Sequence, residues 1–306
     1  MARIASLFLN KALLGMTLAF VLLSSDCRAQ QNDVRSYPMD ESSLLWQIEG
    51  PGVMDKCYLF GTMHLISAES FFFPKKLEKA LSKSEQLIME IPGTDISQEL
   101  VEELLLLENG SLKDYLDSAQ LDSLKYWAKD QLGITDQMFA FAFETLKPIA
   151  VVQIVMQASA SNDQMSYEIK LEEIATEIEL TINGLETYQE QLSFFDSLDT
   201  AMQTEMIMQS IRENSDDAFF DQQMLALYTS QNIDGLYQLM IEDDSFDSRM
   251  QAVFLDDRNI KWIPKIKENI RNARTFIAVG AGHLGGPKGL IRLLETEGYT
   301  LTPIKL

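Results

Sequence analysis

Apolar residues fall into two different periods along this chain. SLLWQIEG (43–50) and KCYLFGTM (56–63) are dense apolar runs joined by the turn sequence PGVMD. Such runs bounded by turn residues predict the two strands of a hairpin. FFPKKLEKALSKSE (72–85) changes to a spacing of three and four, with charges between, and predicts an amphipathic helix. QLIMEI (86–91) is again strand-like and carries Glu90 near its end.

From about residue 97 to about 250 the helical period dominates. It runs through SQELVEELLLLENG, LKDYLDSAQLDSLKYWAKDQLG, TLKPIAVVQIVMQASA, MSYEIKLEEIATEI and most of 187–242. One interruption, ELTINGLE (179–186), reads as a strand and turn. A further helix covers FLDDRNIKWIPKIKENIRN (254–272). RTFIAVG then predicts a strand, GLIRLLETEG a helix and YTLTPIKL a last strand. The pattern describes an α/β protein over residues 43–306. Its central mixed sheet is built from N- and C-terminal strands, with a large helical insertion (about 97–250) capping it. A β-α-β order of this kind requires some parallel pairing. The Met, Leu and Phe residues of the helical block are expected to be core.

The first 29 residues stand apart from this pattern. Arg3 and Lys11 precede the apolar run ALLGMTLAFVLLS, and Cys27-Arg28-Ala29 places small residues at both positions that a cleavage enzyme reads. The run is short for a membrane span, so a cleaved export signal is expected, with a periplasmic or extracellular destination. Residues 30–42 are then a flexible mature start. A lipid anchor through Cys27 fits less well, because Asp26 occupies a position where a small residue is wanted.

Charge narrows the partners. The chain carries 25 basic and 46 acidic side chains, net −21, and removal of residues 1–29 would leave 22 and 45, net −23. A surface that acidic repels phosphate backbones and anionic headgroups, which excludes nucleic acid and stable membrane insertion as partners. Cys57 would be the sole cysteine after the cut. No intramolecular disulfide can form, and a buried, inert thiol is expected.

Candidate chemistry centres on the only two histidines, His64 and His283. Each follows an apolar strand, and each has a glycine three positions earlier: GTMH and GAGH. The second copy also spells Gly280-x-Gly282-x-x-Gly285, the dinucleotide-binding pattern. That pattern wants an acidic residue at the end of the next strand, and YTLTPIKL has none, so no nicotinamide or flavin is expected. The other reading takes GxxH as the unit. A glycine closing a strand permits a sharp turn, so the histidine can face the carboxyl-end crevice where α/β sheets bind ligands. Paired imidazoles with a carboxylate suit a divalent transition metal that activates water. Alternatively, one neutral imidazole acts as general base without metal. Two structural histidines at strand ends remain the third reading.

The segments GTMHLI, LIMEI, NGLETYQEQLSFF, DDRN and FIAVGAGHLGGPKGLIRLLETEGYTL, in this order, resemble the TraB/GumN family, which includes the Tiki proteins. The likeness covers roughly residues 43–305 and is most specific in the last segment. It implies a sheet with helices related to erythromycin-esterase-like and haem-binding ChaN-like proteins. It also implies a site around the two GxxH turns and metal-dependent peptidase activity, as proposed for Tiki members. His64 and His283 match the motif histidines, Glu90 the acid closing a strand, and Glu186 the acid of the LET segment. Arg258 and Asn259 match an arginine-asparagine pair. Asp257 stands where the family usually has glutamate, and Gln189 where a second acid is frequent.

The resulting expectation is an exported hydrolase acting on a peptide or protein. His64, His283 and Glu186 would hold manganese, cobalt or zinc, while Glu90, Arg258 and Asn259 would serve catalysis. The alternatives are a metal-free, esterase-like hydrolase with His64 as general base, and a non-catalytic protein that binds peptide or haem.

Overall fold

The computed structural model describes residues 41–91, 98–159, 163–213, 218–242 and 246–306. The expected export signal (1–29) and most of the flexible start (30–42) lie outside them. Among the described residues the chain forms two compact units. One comprises 98–159 and 188–213. The other comprises 41–91, 163–187, 218–242 and 246–306.

The first unit is helical. Its helices are Gln98–Leu105, Ser118–Leu132, Asp136–Ala142, Pro148–Ser159, Tyr188–Asp196 and Thr200–Glu213. Their ends follow local chemistry. Asp117 and Gln120 form a reciprocal cap at the start of Ser118–Leu132, and Gly133 closes it with φ 66°, a value glycine adopts without strain.

The second unit is built on a six-stranded mixed sheet. Its strands are β1 (Leu45–Glu49), β2 (Cys57–Thr62), β4 (Gln86–Met89), β6 (Thr181–Gly184), β7 (Thr275–Gly280) and β8 (Thr300–Ile304). Their spatial order is β6-β4-β7-β2-β1-β8. The four strands β6, β4, β7 and β2 run parallel to one another, whereas β1 pairs antiparallel with β2 and with β8. A two-stranded ribbon pairs β3 (Ile66–Ser67) with β5 (Gln164–Met165).

Sequence pattern explains the arrangement. Every residue of β2 and β7 is buried, as expected of interior parallel strands covered on both faces. Phe60 and Phe276, both fully buried, meet across that pair with ring centroids 6.1 Å apart. Each such side chain contributes about 1.5–3 kcal/mol by leaving water. Cys57 lies at the start of β2 with its Sγ accepting from the Thr275 amide at 3.4 Å, and burial pushes its thiol pKa up. It is an inert core residue.

β6 differs from the sequence expectation. The sheet does not draw only on the two ends of the chain, because this strand comes from within the stretch read as helical insertion. Residues 163–187 and 218–242 also belong to the sheet unit. The short, half-exposed TING segment reads as a strand but has no apolar run to assign it to the sheet; parallel pairing with β4 gives it that edge place. No helix of the described residues is long and apolar enough to cross a membrane.

Candidate active site

The parallel strands deliver their carboxyl ends to one edge of the sheet, and the candidate residues follow those ends. Glu186 lies just past β6, Glu90 directly after β4, His283 just past β7, and His64 just past β2. In the β2–β7 pair, Thr62 stands opposite Gly280, so the two GxxH turns leave neighbouring strands at the same level.

The motif glycines allow close approach. Gly280 has φ −51° and ψ 136°, a conformation open to any L-residue, so the expected need for a conformationally free turn is not the reason for this glycine. A Cβ there would lie 3.2 Å from His64 Nε2 and 3.3 Å from Glu90 Oε1. At Gly61 it would lie 2.6 Å from Leu284 Cδ1 and 3.1 Å from Ala281 Cα. Both positions need a bare backbone so that histidine, carboxylate and turn can crowd together.

Arg258 occupies the middle of the cluster. A π-helical turn, Ala252–Asp256, leads into the helix Asp257–Asn272 and places Arg258 and Asn259 in its first turn. Arg258 Nη2 donates to Glu90 Oε2 at 2.5 Å and to Glu186 Oε1 at 2.5 Å. Its Nε reaches Glu186 Oε1 at 3.1 Å, and Nη1 lies 3.3 Å from His283 Nε2. Trp262, one turn further along the helix, donates Nε1 to Glu186 Oε2 at 3.2 Å and covers the guanidinium at 4.7 Å. Glu90, Glu186, Arg258, Asn259 and His283 are all at most 5 % exposed. Burying these charges is tolerable because each is paired and hydrogen-bonded.

The electrostatics separate the groups. Burial would raise the pKa of Glu90, but Arg258, both histidines and the Gly280 amide together hold it well below the usual carboxylate range. Burial wins at Glu186, whose pKa is raised although Arg258 opposes this. Burial likewise dominates at His283, against the pull of Glu90, and pushes it down to about 3. His64 moves the other way. Burial lowers its pKa, yet Glu168 more than compensates, and the net shift is upward.

Glu168 is the residue that sequence reading missed. Its Oε1 lies 2.8 Å from His64 Nδ1 and accepts from Thr62 Oγ1 at 2.5 Å, while Oε2 accepts from Ser166 Oγ at 2.9 Å. Its only sequence signal is position: an acid in the first turn of the helix Tyr167–Glu177, behind the N-cap Ser166. That signal describes many ordinary surface acids. Its burial becomes visible only once β3 and β5 pair.

Glu186, expected as a metal ligand, is instead committed to Arg258 and Trp262. Among the described residues no three His, Cys, Asp or Glu side chains converge as a metal-binding group. The two imidazole nitrogens are suitable donors, but a guanidinium stands between the carboxylates and against His283 Nε2. As folded, the donor set does not fit a divalent metal held by His64, His283 and Glu186. The geometry places a partly exposed histidine, 13 % accessible in its side chain, beside an ionised carboxylate and a buried cation.

Fold and site therefore define a mixed α/β protein with a buried histidine–carboxylate–arginine centre at the carboxyl ends of its parallel strands. The model of the TraB/PrgY/gumN family matches residues 44–303, and the chain belongs to that family. It is also similar to a "Metalloprotease TIKI homolog" from Amphimedon queenslandica, at 22 % identity over 324 aligned positions. The alignment takes in 87 % of this chain and 62 % of that relative, so the chain spans less than two thirds of the relative's length. No solved structure matches the chain.

Proposed function

We propose that this is an exported hydrolase that cleaves a peptide or protein substrate with His64 as general base. The observation that carries the reading is the position of His64. Its side chain is 13 % accessible, and Nε2 lies over the bare Gly280 backbone beside Glu90. Water approaching that nitrogen gives up a proton to it while its oxygen attacks the substrate carbonyl. The positive charge that develops on His64 is favoured by ionised Glu90 and Glu168 nearby. The same nitrogen then returns the proton to the departing amine, so protons balance over the cycle. Arg258 keeps Glu90 ionised in a buried setting and fixes it with Glu186.

A second reading is supported by the relative's name, a metalloprotease. In it the two Nε2 atoms are donors to manganese, cobalt or zinc, and a carboxylate must first leave Arg258. No step is assigned through a metal, because the present donor geometry does not hold one.

Incubation of the purified chain with a mixed peptide library, read by mass spectrometry, separates these. Cleavage that survives a chelator and vanishes in His64→Ala, with little change in melting temperature, supports the first reading. Activity lost to the chelator and restored by one of the three metals replaces it with the second. Peptides retained but recovered intact, or cleavage undiminished in His64→Ala, would end the general-base idea.

A further inference from the structure

The two imidazoles can serve the centre only if a lone pair, not a proton, faces it. We propose that Glu168 is a positioning residue for His64 and Asn259 for His283, so that both rings carry their hydrogen on Nδ1 and turn Nε2 toward the centre. The consequence for catalysis rests on the hydrolase reading above; the assignment of the tautomers does not.

For His64 the argument starts from the carboxylate. Glu168 sits in the first turn of its helix, where the exposed amide groups favour negative charge. Thr62 and Ser166 both donate hydroxyl hydrogens to it. An ionised carboxylate only accepts, so the third contact, at 2.8 Å, requires a hydrogen on His64 Nδ1. The neutral ring then has its lone pair on Nε2, the atom 3.2 Å from the Cβ position of Gly280.

His283 reaches the same state through a different partner. Asn259 Nδ2 donates to the carbonyl oxygens of Lys288 at 2.9 Å and His283 at 3.3 Å, which fixes which end of the amide is oxygen. Its Oδ1 therefore faces His283 Nδ1 at 2.7 Å as an acceptor. Arg258 Nη1, which can only donate, lies against Nε2 at 3.3 Å. Both contacts demand hydrogen on Nδ1 and a lone pair on Nε2. Two unrelated devices, a carboxylate for one ring and an amide for the other, thus set the twin motifs alike.

The chain's two histidines make this directly measurable. The full chain, prepared without a histidine tag and labelled with 15N-histidine, should give two ring spin systems at a pH where both rings are neutral. Both should show protonation at Nδ1, opposite to the form free histidine favours in water. Glu168→Ala should move the hydrogen to Nε2 in His64 alone, whereas Asn259→Ala should leave it on Nδ1 of His283, because Arg258 still donates toward that Nε2. With a cleaved peptide in hand, Glu168→Ala should lower kcat by about 10–100-fold with KM near that of the unaltered chain. If neither alanine variant folds, the unaltered chain still decides the matter. His64 protonated at Nε2 there, or unmoved in a folded Glu168→Ala, overturns the proposal. A chain with the expected tautomers and no hydrolysis refutes the hydrolase reading and leaves this inference standing.

Discussion

Arg258 holds two carboxylates and a histidine at once, and its removal has a definite consequence. The sequence expectation assigned it to catalysis without naming what it would touch. The contacts to Glu90 and Glu186 make it the counter-charge of both. Arg258→Ala should therefore weaken the fold by about 3–5 kcal/mol, the usual result of stranding a buried charge. Adding Glu90→Gln and Glu186→Gln should recover part of that loss, because the uncompensated charges go with it. Lysine should not substitute well, since one ammonium cannot reproduce the forked contacts. Urea midpoints for the single and triple variants check this. An Arg258→Ala midpoint equal to that of the unaltered chain would return the arginine to substrate binding.

At the scale of elements, the legible part of the site is the part written in strands. The twin apolar runs ending in GxxH announced β2 and β7, and a strand-like run ending in an acid announced β4. The rest depended on contacts distant in sequence. β6 was legible as a strand but too short and polar to be assigned to the central sheet, and Glu168 is 104 residues from the histidine it touches. The role of the glycines was also misread as turn freedom, because crowding between strands leaves no local trace. Gly61→Ala tests that crowding. The added methyl meets the tip of Leu284, which can move, and the backbone of Ala281, which cannot without shifting the second histidine turn. Alanine would restrict the unfolded chain and so favour folding by about 0.4–1 kcal/mol. Overpacking against backbone typically costs about 1–3 kcal/mol, so destabilisation should win. A urea midpoint that rises in Gly61→Ala would show that the turns have room to spare.

For the whole molecule the governing quantity is charge. Acidic side chains outnumber basic ones 46 to 25, so 21 acids are left over even if every basic side chain pairs with one. Surface pairs do exist, such as Arg274 with Glu85 and Lys170 with Glu173. Each exposed pair is worth about 0–1 kcal/mol and is weakened by salt. The unmatched negative charge acts in the other direction, repelling itself more strongly in the compact state than in the unfolded chain. Salt at about 0.15 M shortens the range of that repulsion to about 8 Å and should relieve more than it removes. The urea midpoint should accordingly rise as sodium chloride is added from low ionic strength. Urea suits this measurement because it is uncharged, whereas guanidinium chloride would itself screen the charges. The buried cluster of Arg258, Glu90 and Glu186 lies out of reach of mobile ions, so it should be insensitive to the same titration. A midpoint that falls with salt would mean that paired surface charges outweigh the net excess, and that the acidity contributes to the fold rather than opposing it.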